Sequence, residues 1–180
     1  MTPEPFANIA IVGRPPLRFY VGDLAALLRE RHGSDIHLYC TTAQEEQQYR
    51  TMDEANVFSS ITVTEHLLPW PLPADLDPEA VTSRARAIEE RYGVTLNYLM
   101  MTNRHHGRGF ALGGFYHPRS RQSEEMNYIQ TLHVHNEALE FWEREFSVKR
   151  ISLQINGGTL DMIAARAHGI PVRSLTMARY

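Results

Sequence analysis

The residues best suited to chemistry lie in two places. The stretch Asn103-Arg104-His105-His106-Gly107-Arg108-Gly109-Phe110, continuing to His117, Arg119 and Arg121, gathers arginines and histidines on a glycine-containing loop. In a chain of formal net charge -3, such a loop is a local anion-binding surface. The planar guanidinium fork donates two parallel hydrogen bonds to phosphate or carboxylate. A solvated basic loop without a ligand would have the same composition. The second place is a pair of glycine turns, Gly13-Arg14 and Asn156-Gly157-Gly158-Thr159, each following a short apolar run. In open parallel sheets ligands bind at the carboxyl ends of strands, where helix N-termini present amide donors. Neither turn carries a dinucleotide fingerprint or a P-loop. The alternative reading is that these glycines only let the chain turn tightly.

Other chemistries find less support. His105 and His106 are adjacent and point apart in a regular strand, and His133 and His135 face different sides of a helix. His133 shares a face with Glu137, but two ligands do not make a zinc site. No metal and no cofactor are therefore expected. There is no G-x-S-x-G elbow and no Cys/His partnership for nucleophilic catalysis. Cys40 is the only cysteine and ends an apolar segment, so it reads as a small buried core residue. Tyr39, Trp70, Phe115, Tyr116 and Trp142 read as packing residues rather than a stacking platform for bases.

Composition bounds the rest. The 180 residues suit one domain, residues 1–180, and a 43% hydrophobic content is ample for a core. The slight acidity gives no global signature for nucleic acid. No run approaches the ~18 apolar residues of a transmembrane segment. The opening MTPEPFANIAIVG lacks the positive start and apolar core of a signal peptide, so a cytoplasmic location is expected.

The elements that must position these residues read as α/β. Asn8 to Gly13 is a strand buried on both faces, Leu17 to Arg31 a helix stopped by Gly33 and Ser34, and Ile36 to Cys40 a second strand. Right-handed crossover makes such strands parallel. A polar helix spans Thr42 to Asn56, and Ser60 to Thr64 has the β-branched content of a third strand. The proline-rich Leu68 to Pro73 is a surface loop. Asp77 caps a helix with Pro78 in its first turn, ending near Tyr92-Gly93. Leu96 to Met101 is apolar and fits either a strand or a helical turn. Ser123-Glu124-Glu125 caps a long amphipathic helix reaching about Phe146. Finally, Ile151 to Ile155 is a strand, Thr159 to His168 a helix closed by Gly169 and Pro171, and Val172 to Leu175 a strand. The expected fold is a Rossmann-like three-layer sandwich with a mostly parallel sheet.

The closing unit, Ile151-Ser-Leu-Gln-Ile-Asn-Gly-Gly-Thr with Ala164-Ala165-Arg166-Ala167-His168-Gly169-Ile170-Pro171-Val172 and Arg179, resembles the end of the N-terminal domain of GT-B-type glycosyltransferases. The likeness is to those of bacterial capsule and surface polysaccharide. The stretch Tyr98 to Arg108 is also similar. The resemblance implies the acceptor-side half of a two-domain enzyme that takes a sugar from a nucleotide-sugar donor to a glycan acceptor. The donor half would lie in a C-terminal domain missing after Tyr180, leaving this chain alone inactive. A ligand would then cross Gly13, Arg14, the Arg104–Arg108 loop and Asn156, Gly157, Gly158 and Thr159. Arg104 and Arg108 would hold an anionic group, and His105 or His106 would be the acceptor-activating base, since histidine titrates near neutrality. The competing expectation is a standalone binding module for a nucleotide or phosphorylated small ligand. A third is an interaction domain whose basic loop docks a partner protein.

Overall fold

A computed structural model describes residues 6–13, 18–53, 56–67, 73–102 and 127–175. The fold is α/β, with five parallel strands flanked by helices in a Rossmann-like arrangement. By contact the chain divides into two compact units. One comprises Met1–His66, Glu143–Gly158 and Ala165–Tyr180; the other comprises Leu67–Trp142 and Thr159–Ala164.

The first unit holds the sheet. Its strands are β1 (Asn8–Val12), β2 (Asp35–Cys40), β3 (Ser60–Val63), β4 (Leu153–Ile155) and β5 (Val172–Arg173), in spatial order β3-β2-β1-β4-β5. All four pairings are parallel. The central strands are apolar because both faces are covered, and Ile9, Ala10, Ile11, Ile36 and Leu38 are fully buried. Side chains alternate between faces. Ile9, Ile11, Ile36, Leu38, Cys40, Leu153 and Ile155 join Val21 and Ala25 of α1 (Arg18–His32) in one cluster, with Tyr49 of α2 (Ala43–Met52). Helix ends follow local chemistry. Gly33 sits at φ +62 and donates to the Arg29 carbonyl oxygen, closing α1 as its position in the sequence implies. Thr42 and Glu45 form a reciprocal capping box at the start of α2.

The opposite face carries polar side chains. The Tyr39 hydroxyl donates to Glu145 at 3.0 Å, and the Lys149 ammonium meets Glu145 at 2.6 Å. That ammonium also donates to the Tyr39 hydroxyl at 3.3 Å and to Thr62 at 3.2 Å. Glu145 lies on the last turn of a long helix, α5 (Tyr128–Val148), and Lys149 directly follows it. Three oxygens therefore satisfy the ammonium's three donors.

The second unit is helical, with α3 (Pro78–Tyr92), α4 (Leu96–Thr102) and the body of α5. Asp77 accepts from the Glu79 amide, with Pro78 in the first turn, and Gly93 ends α3 at φ +64, as the sequence indicates. Leu96 to Met101, open between strand and helix in the sequence, is helical. Among the described residues the start of α5 is capped by Asn127, whose side-chain Oδ1 accepts from the Gln130 amide while the Gln130 side-chain oxygen accepts from the Asn127 amide. The expected cap at Ser123 to Glu125 lies outside the described residues. The buried Asn136 amide donates to the Val81 carbonyl oxygen at 3.0 Å. Arg84 reaches Glu137 at 2.7 Å and Glu140 at 2.6 Å. Among the described residues no helix is long and apolar enough to cross a membrane.

Candidate functional site at the carboxyl edge of the sheet

The strand order determines where a ligand site can form. From β1 the chain builds outward through β2 and β3, then returns to the other side of β1 for β4 and β5. The two connections leave β1 and β4 in opposite directions, and in open parallel sheets the place beyond the carboxyl ends of such neighbours is where ligands bind. Ile11 pairs with Ile155, so β1 and β4 end as neighbours, with Gly13 following the one and Asn156-Gly157 the other. The two glycine turns singled out in the sequence therefore follow neighbouring strands at this switch point. Arg14, Arg104, His105, His106 and Arg108 lie outside the described residues.

The β1 turn is shaped by packing. The Gly13 amide donates to the Tyr39 carbonyl oxygen at 2.7 Å. A Cβ on Gly13 would approach the Tyr49 hydroxyl to 3.0 Å. This glycine thus admits the Tyr49 ring against the backbone at the end of β1. Tyr49 escaped the sequence reading, although it is the one aromatic in the otherwise polar helix AQEEQQYRTM.

The β4 turn is held from several sides. Asn156 adopts φ +62 and Gly157 φ +144, conformations open to asparagine and glycine respectively. The Asn156 amide donates to the Arg173 carbonyl oxygen at 2.7 Å. Its side-chain oxygen accepts from the Leu175 amide at 2.8 Å. Gln154, fully buried beside it, donates to the Asn156 carbonyl oxygen at 2.9 Å. The Asn156 Nδ2 is buried with no hydrogen-bond partner among the described residues. Gly157 is buried, Gly158 exposed and Thr159 half-buried at the start of α6 (Thr159–Ala167). Asp161 stands in the first turn of α6 and is only 5% exposed. A carboxylate there already complements the positive end of the helix.

Acid–base chemistry has few described candidates. Burial, reinforced by Glu45 and Glu46, pushes the Cys40 thiol up to about 11, so it stays protonated and inert, as its place in an apolar strand suggested. Burial, the adjacent Glu145 charge and its hydrogen bond push the Tyr39 phenol far above its ordinary value. Trp142 and Tyr39 are core residues; Trp70, Phe115 and Tyr116 lie outside the described residues. His133 and Glu137 do share a helix face, 4.0 Å apart. Among the described residues no three His, Cys, Asp or Glu side chains gather as metal ligands. Comparison with family models, curated proteins and solved structures yields no match to this chain.

Proposed function

We propose that this chain is the acceptor-side half of a GT-B-type glycosyltransferase, with the glycan seated over the carboxyl edge of β1 and β4. The observation that supports this most is that Gly13 and Asn156-Gly157 follow neighbouring strands at the switch point of a parallel sheet. On this reading Arg104 and Arg108 hold the anionic part of acceptor or donor, and His105 or His106 activates the acceptor hydroxyl.

The test is a titration of the 180-residue chain, followed by amide NMR, with capsular oligosaccharides and separately with nucleotide-sugars. Oligosaccharides are expected to shift the Gly13, Gly157 and Gly158 resonances, with nucleotide-sugars binding weakly. Tight nucleotide-sugar or nucleotide binding without glycan binding would overturn this assignment in favour of the phosphorylated-ligand module. In an enzyme carrying both halves, H105A/H106A should abolish turnover.

A further inference from the structure

Asn156-Gly157 is the only Asn–Gly pair in the chain, and its chemistry is independent of any ligand. Asparagine before glycine is prone to intramolecular attack, because no side chain shields the following backbone nitrogen. That nitrogen, on Gly157, adds to the Asn156 Cγ, and the Cγ–Nδ2 bond breaks. Nδ2 departs as ammonia with the proton that Gly157 loses. Water then opens the cyclic imide at one carbonyl or the other, leaving aspartate or isoaspartate.

Three features of the fold oppose this. The Cγ is tethered through Oδ1 to the Leu175 amide, so it cannot swing onto its own backbone without breaking that bond. The departing Nδ2 is buried without a hydrogen-bond partner among the described residues to assist it. Asn156 is fully buried and Gly157 is buried as well, which keeps hydrolytic water away. Yet the tether hangs from the weakest part of the sheet. β5 is a two-residue edge strand, paired only through Val172 and Arg173, and Arg173 is exposed. Short edge elements with few buried contacts open first.

We propose that Asn156 is a deamidation site gated by detachment of β5 and the Leu175 tether. Opening the edge exposes the pair to attack, and the product places a carboxylate at the carboxyl end of β4. The isoaspartate form also adds a backbone atom where the φ +62 turn is built. Closure of β5 over the modified residue then fails.

The test follows the tryptic peptide Ile151–Arg166 by mass spectrometry during incubation at mildly alkaline pH, comparing the folded chain with the same chain in urea. Deamidation at Asn156 should be slower in the folded chain by at least about tenfold, the factor set by an opening free energy of ~1.4 kcal/mol. Leu175→Pro, which removes the donating N–H, should bring the rate close to that in urea. Should that variant fail to fold, hydrogen exchange of the Leu175 amide in the unaltered chain serves instead. Exchange and deamidation should then rise in proportion with temperature. Equal rates in folded chain and urea would overturn the proposal, as would Leu175 exchange accelerating with no change in deamidation.

Discussion

A methyl group built on Gly13 would lie 3.0 Å from the Tyr49 hydroxyl and 3.2 Å from the Tyr39 carbonyl oxygen. Both neighbours are held, since Tyr49 is buried and Tyr39 accepts the Gly13 amide. Gly13→Ala should therefore destabilise the protein by about 1–3 kcal/mol through overpacking. Adding Tyr49→Phe removes the nearest atom but not the carbonyl, so the double variant should recover part of that loss in urea unfolding. A full additive loss would show that Tyr49 is not what requires glycine. This residue marks how far local reading reaches. A glycine after an apolar run is visible in the sequence, and it predicts a turn. Whether a ligand or a phenol needs the space depends on Tyr49, which the fold brings in from a different helix.

At the scale of elements, the C-terminal end of α5 is fixed to the sheet by charge. Glu145 and Lys149 have side chains only 16% and 18% exposed, and Tyr39 and Thr62 complete the ammonium's shell. Lys149→Met would leave the Glu145 carboxylate without its cation, at a cost toward the low end of the ~3–5 kcal/mol seen when a buried pair is broken. Replacing both, Glu145→Gln with Lys149→Met, should restore much of it, because neither partner is then left charged. A double-mutant cycle in denaturant measures the difference, and additive losses would sink the idea. The helices themselves were legible in the sequence, because caps and stops act within a turn: Asp77, Gly93 and Gly169 all stand where they end elements. The polar cluster was not. Tyr39 meets Glu145 across 106 residues, and an i,i+4 Glu–Lys pair looks the same whether it faces solvent or a sheet.

For the whole molecule, acid stability follows from two histidines. Burial, then Lys149, holds His37 below its ordinary 6.5, against weaker pulls from Asp35 and Glu145. Burial likewise lowers His135, partly offset by the Thr131 carbonyl oxygen. A depressed folded-state value means that folding favours the neutral ring. The stability tied to each histidine is complete above pH 6.5 and lost as pH falls from there through the folded value. Urea midpoints should thus drop between about pH 7.5 and about pH 5, less steeply in His37→Gln or His135→Gln. Unchanged slopes in both variants would place the acid sensitivity elsewhere. The parallel class of the sheet could be read from apolar runs alternating with helices, but its order could not, since pairing is a long-range choice. That order has a consequence for how the chain is made. Asn8 at the head of β1 bonds Ser152 across 144 residues, so a growing polypeptide carries β1, β2 and β3 long before β4 exists. Throughout that interval one flank of the central strand lacks its partner, and a bare strand edge is a template for the wrong neighbour. The seam between β1 and β4 consequently closes only after β2 and β3 have been made, and the β4–β5 seam closes after it.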